Sequence, residues 1–154
     1  MPRCSYKWKM GGLKMEKIII KGRPTLGGIA EGKAVVCPDS IAGNSGSVGD
    51  MDGVIHEKGS ANEGASLKDA ILVLPCGKGS TGFSAHFKSA KFMGVCPAGW
   101  VVKKIDSRLG VAITSLDVPA VSDFGEDEDP MEIIKTGDWV KIDGSTGIVE
   151  ITRE

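Results

Sequence analysis

The sequence predicts an α+β domain of mixed β/α layers, about eight mostly short β-strands with two or three helices. Three observations predict it. Glycine is abundant, 22 of 154 residues, and aromatic residues make up only 5%, a composition of many turns and therefore of short strands. The apolar residues fall in short runs closed by Gly, Pro, Asp or Ser, the punctuation of strands rather than of long helices. One stretch, 71–92, changes period in mid-course. Ile71, Leu72, Val73 and Leu74 form a continuous apolar run, the pattern of a fully buried strand. Pro75 ends it, Gly77, Gly79 and Gly82 open the backbone, and Phe83, Phe87 and Ala90 then recur at helical spacing. Strand, glycine turn, helix is the reading, with the helix from about 81 to 92.

The remaining elements follow in order. Residues 1–14 carry Lys7, Lys9 and Lys14 around Trp8 with no usable period, and are expected to be a disordered tail. Residues 15–154 then form a single domain, as their length allows. The β-branched run 17–21 is a strand and 22–28 a turn region. A second strand, 30–37, stops at Pro38. Residues 39–64 turn polar and glycine-rich, a stretch long enough to mark either disorder or a functional loop. Residues 100–105, 110–114 and 118–121 read as further strands. Asp123, Glu126, Asp127, Glu128 and Asp129 read as a solvated acidic loop. Asp129-Pro130 starts a short helix over 131–135 that Gly137 stops. Strands 139–142 and 148–151 flank Asp143-Gly-Ser-Thr-Gly147, a hairpin with strong turn chemistry.

Composition excludes several classes. A net charge of −1 and a pI of about 6.1 leave no electrostatic footprint for nucleic acid. No run reaches the ~18 apolar residues of a membrane span, and 1–15 lack the apolar core of a secretory signal. The cytoplasm is the expected compartment. Cys4, Cys37, Cys76 and Cys96 are widely spaced, with no Cys-x-x-Cys pair, and are read as reduced thiols rather than metal ligands. Asp50 and Asp52 open like a calcium loop, but the closing Glu is missing.

The glycine turn is the candidate site. A helix start offers unpaired N–H groups and the positive end of a dipole, and Lys78, Ser80, Thr81 and Ser84 add an ammonium and hydroxyls. Such a turn can hold an anion or stabilise a developing one; ordinary scaffolding uses the same pattern. Lys78 stands too early for a Walker phosphate loop, and no Gly-x-Gly-x-x-Gly fingerprint fits. His86, beside the apolar face of the helix, is read as a satisfied structural histidine, with catalysis the alternative.

Several stretches together resemble a known family. Leu74-Pro-x-Gly-Lys-Gly-Ser-Thr-Gly82, Ala112-Ile-Thr-x-x-x-Val-Pro-Ala-Val121, Gly137-Asp-x-Val-x-Ile-Asp-Gly144 and Gly147-Ile-Val149 look like the small, swivelling domain of aconitase X. Ile18-Ile-Ile-Lys-Gly-Arg23 and Glu31-Gly-Lys-Ala34 fit it too. The resemblance implies a swivelling β/β/α fold. It implies a hydro-lyase subunit acting on a small hydroxy acid, phosphomevalonate-like or hydroxyproline-like, and inactive without a large subunit that carries an iron–sulfur cluster. This chain would hold no cofactor or metal itself, and Ser80 would be the proton acceptor, with Lys78, Gly79, Thr81 and Ser84 holding substrate. After Ser80 the chain departs from its relatives, running Gly82-Phe83-Ser84-Ala85-His86, so the resemblance does not fix the substrate. Two other readings stay open. Ser84-Ala85-His86 and Val118-Pro-Ala-Val121 echo phosphohistidine domains of the same fold, and a non-catalytic adaptor would need no chemistry at all.

Overall fold

The structure, a computed structural model, describes residues 4–42, 44, 46–78 and 83–153. Among these the chain forms nine strands: β1 (Cys4–Met10), β2 (Leu13–Lys21), β3 (Arg23–Leu26), β4 (Ile29–Val36), β5 (Ile71–Leu74), β6 (Gly99–Val102), β7 (Ala120–Ser122), β8 (Trp139–Asp143) and β9 (Ile148–Arg153). The helices are α1 (Phe83–Phe92), α2 (Ser107–Leu116) and the single turn α3 (Pro130–Ile133), with a 3-10 turn at Glu126–Glu128.

The strands lie in the order β1-β2-β9-β8-β4-β5-β6-β7-β3, and β4 is the hinge of that order. Its first half, Ile29 to Lys33, pairs antiparallel with β8; its second half, Ala34 to Val36, pairs parallel with β5. One strand thus passes from an antiparallel layer (β1, β2, β9, β8) to a parallel one (β5, β6, β7). The layers pack face to face. Ile18, Ile20, Val140, Ile142, Val149 and Ile151 of the first meet Ala34, Ile71, Val73, Val101 and Val121 of the second. The other face of the parallel layer, with Leu72, Leu74, Trp100 and Val102, is covered by Phe87 of α1 and by Leu109, Ala112, Ile113 and Leu116 of α2. The result is three layers, β/β/α, and it explains why β5 and β6 are buried at every position.

Five departures from the sequence reading have physical reasons. Residues 22–28, read as a turn region, contain β3, whose Arg23, Pro24 and Leu26 pair with Ser122, Val121 and Ala120 at the sheet edge, a partner distant in sequence. Cys4–Met10 is a strand and not a tail: it pairs with β2 over its whole length, from Cys4↔Ile19 to Met10↔Leu13. Gly11 and Gly12 hold φ of +57° and +87°, the left-handed pair that a tight two-residue hairpin needs. Residues 110–114 are helical, part of α2. Leu109, Ala112, Ile113 and Leu116 recur at helical spacing and are all buried, whereas a five-residue window shows only an apolar run. Residues 39–64 contain no regular strand or helix among those described, yet the segment is folded: Ile41, Val48 and Ile55 are buried in the core beneath the helices, and bridges link Ala42↔Lys78, Val48↔Ile55 and Val54↔Ser66. The acidic stretch is only partly solvated. Glu128 is buried and accepts from the Lys21 amide at 3.1 Å, while Asp129 caps α3 through Met131 N and pairs with Lys103 at 2.8 Å.

Candidate functional site

Because β4, β5, β6 and β7 run parallel, their carboxyl ends emerge on one edge of the domain. Ligands in such sheets bind in the crevice beyond that edge. Four segments meet there: 37–40 after β4, the glycine turn after β5, 103–106 after β6 and 122–124 after β7. Backbone hydrogen bonds tie them together, Lys103 N to Leu74 O at 2.9 Å, Lys104 N to Pro75 O at 3.0 Å and Asp123 N to Val102 O at 3.1 Å.

Asp106 anchors the entrance to the turn. Its Oδ2 accepts from Gly77 N at 2.7 Å and its Oδ1 from Leu109 N at 3.0 Å, so one carboxylate holds the turn and caps α2. Gly77 lets the carboxylate approach: a Cβ there would lie 2.8 Å from Asp106 Oδ2 and displace it. The Ser40 hydroxyl donates to the Cys76 carbonyl, from a backbone held at φ +62°. Lys78 donates to Glu57 Oε2 at 3.0 Å and to the Asp39 carbonyl at 3.1 Å. On the far side of the turn, His86 on α1 gives its Nε2 proton to Val48 O at 2.6 Å and sets its ring edge-on to Phe87. Since that bond fixes the protonated nitrogen as Nε2, the contact counts against His86 as a phosphate carrier there.

Of the residues singled out in the sequence, Lys78 and Ser84 are described: Lys78 at the mouth of the turn, Ser84 half-buried on the first turn of α1. Ser80, Gly79 and Thr81 lie outside the described residues. Sequence reasoning missed Asp106, Glu57 and Ser40. Asp106 carries a legible signal, a capping residue ahead of the helical spacing that begins at Leu109. Glu57 and Ser40 carry none, because their partners are distant in sequence.

Two cations on this edge are paired with carboxylates. Arg23 meets Asp123 at 3.1 Å and Lys103 meets Asp129 at 2.8 Å; the Lys103 ammonium is held above its ordinary value by the hydrogen bond and charge of Asp129. Two of the thiols are poor ligands. Burial pushes Cys37 up to about 11, against the opposing hydrogen bond from Asn62, and burial likewise pushes Cys96 up to about 11. Cys76 is exposed beside Gly77. Among the described residues no three His, Cys, Asp or Glu side chains converge to hold a metal ion, and no helix is long and apolar enough to cross a membrane.

Comparison with known proteins places this arrangement. The chain is 36% identical over 133 residues to the phosphomevalonate dehydratase small subunit of Methanocella arvoryzae, covering 86% of this chain and 98% of that one. It is 37% identical over 139 residues to the protein of the same name from Methanococcoides burtonii, covering 89% and 98%. The crystal structure of holo-form aconitase X from Thermococcus kodakaraensis superposes with a TM-score of 0.78 at 30% identity, over 86% of this chain and 97% of that one. The aconitase X swivel domain family matches residues 19–151, which take in β3 to β8, most of β9 and the whole parallel edge with its glycine turn. The chain belongs to the aconitase X swivel domain family.

Proposed function

We propose that this chain is the small subunit of an aconitase X-type hydro-lyase of the cytoplasm, and that its substrate is a phosphomevalonate-like hydroxy acid, with a hydroxyproline-like one as the alternative. The observation that carries the reading is the near end-to-end likeness to proteins named phosphomevalonate dehydratase small subunit. The geometry supports it: the glycine turn leaves β5 at the carboxyl edge of the parallel layer, where a second polypeptide can close over it.

Ser80 is assigned as the acceptor of the proton removed next to the substrate carboxylate, with Gly79, Thr81 and Ser84 holding the anionic end; Lys78, also expected to hold substrate, is engaged by Glu57 and the Asp39 carbonyl. A serine hydroxyl serves as a base only where its oxyanion is stabilised. Backbone N–H groups at the start of α1 are suited to that, as donors with a positive dipole end. The family resemblance brings an iron–sulfur cluster to the assembled enzyme. The described residues of this chain do not fit one: Cys37 and Cys96 are buried with raised pKa values, exposed Cys76 has no further ligands around it, and no three ligating side chains converge. The cluster is therefore assigned to the large subunit, which makes this polypeptide inactive by itself.

The test is Ser80→Ala in the complex with the large subunit. Turnover should fall by about a hundredfold or more, the scale of lost general-base catalysis, with complex formation retained on a sizing column. Undiminished turnover would remove Ser80 from the reaction.

A further inference from the structure

The segment 39–64 touches the chain on either side of the glycine turn, at 76–78 and at His86 on α1, and nothing in the proposed chemistry uses it. At the entrance, Ser40 Oγ donates to Cys76 O, Ala42 bridges to Lys78, and Lys78 Nζ reaches back to both Asp39 O and Glu57 Oε2. At the exit, Val48 O accepts from His86 Nε2 on α1. The strap is tied to itself between these points: His56 N and Glu57 N both donate to Ser47 O, at 2.8 and 3.2 Å, so Glu57 and Val48 are held beside one another. Val48 and Ile55 are buried in the core under the helices, which fixes the strap to the domain.

We infer that Glu57 is a positioning residue: by holding the Lys78 ammonium it sets the entrance of the glycine turn at a fixed distance from α1, whose first turn the same strap grips through His86. The inference rests on the reading that the turn carries the reacting hydroxyl. Physical sense favours the arrangement. Lys78 is a flexible four-carbon cation at an edge where substrate anions would compete for it. A carboxylate 3.0 Å away and a carbonyl 3.1 Å away take up two of its three donors. Its charge then offsets Glu57 and its stem braces the turn, leaving the anion to backbone donors and hydroxyls.

The experiment is a double-mutant cycle, Glu57→Ala, Lys78→Met and both together, read in two ways. In the isolated full-length chain, acetylation of Lys78 by acetic anhydride should speed up severalfold in Glu57→Ala, and amide exchange should rise at 76–78 and at 83–87. In the complex, each single variant should lower kcat by about ten- to a hundredfold, the cost of a small misplacement of reacting groups, with KM changed far less. The double variant should be no worse than either single one, since Glu57 acts only through Lys78. Glu57→Gln, which keeps an oxygen acceptor, should recover part of the loss. Additive losses, or unchanged Lys78 labelling in Glu57→Ala, would overturn the inference. An unmodified complex without dehydratase turnover would overturn the proposed function instead, and the labelling and exchange would still decide the role of Glu57.

Discussion

Asp106 serves two backbone amides with its two carboxylate oxygens, Gly77 N at 2.7 Å and Leu109 N at 3.0 Å. Replacing it with Ala strips the cap from α2 and leaves a part-buried amide of the turn without its acceptor. Losing an N-cap costs about 1 kcal/mol, and a stranded donor adds about 1–3 kcal/mol. Asp106→Ala should therefore lower the urea midpoint clearly, and Asp106→Asn, which keeps a single carbonyl oxygen, by less. Equal losses would mean that the two bonds are not independent. The thiols make a second prediction at this scale. Burial raises Cys37 and Cys96 from 9.0 to about 11 in the folded chain. Below pH 9 both states hold the protons and the stability is fully present. As pH rises from 9 towards 11 the unfolded thiols ionise first, the unfolded state binds fewer protons, and stability falls. The melting temperature should decline over that window, and Cys37→Ala/Cys96→Ala should flatten the decline; an unchanged slope would assign it to other groups.

At the scale of elements, what the sequence shows is what short-range periodicity can carry. The four-residue run of β5, the helix that follows it and the β8–β9 hairpin sit within a residue or two of where the pattern puts them, because each is framed by its own Gly, Pro or Asp. The Asp129-Pro130 start of α3 is equally local. Where the reading fails, the determining contact is elsewhere. β1 looks like a lysine-rich tail because Lys7 and Lys9 interrupt it, yet those lysines are one face of a strand whose other face carries Tyr6 opposite Lys17 and Trp8 opposite Met15. Gly11-Gly12 was the available signal. The strap at 39–64 has no period because turns and single bridges build it, and its buried Ile41, Val48 and Ile55 are set by what they pack against. The same divide runs through the site. Lys78, Ser80 and Ser84 stand out in one short window, whereas Glu57 is 21 residues from Lys78 and Asp106 is 29 from Gly77.

For the whole molecule, the hand-over at β4 separates two surfaces open to a partner. One is the carboxyl edge of the parallel layer, where 37–40, 76–78, 103–106 and 122–124 gather. The other is the outer face of the antiparallel layer. There the pairings Trp8↔Met15, Met10↔Leu13, Trp139↔Thr152, Asp143↔Ile148 and Ile29↔Asp143 put Trp8, Leu13, Trp139, Ile148 and Ile29 on the side away from the core, and all five are exposed. Apolar exposure by itself would favour the second surface. The proposed chemistry requires the first: a hydroxyl in the turn after β5 would act on a substrate bound by another subunit only if that subunit covered this edge. Amide exchange on the chain with and without its large subunit separates the two. Slowed exchange should concentrate in 37–40, 76–78, 103–106 and 122–124, with β8 and β9 unaffected beyond their own ladder bonds. Protection confined to β1, β8 and β9 would put the partner a full layer away from the turn, and a site shared across the subunit boundary could not then be built from this edge.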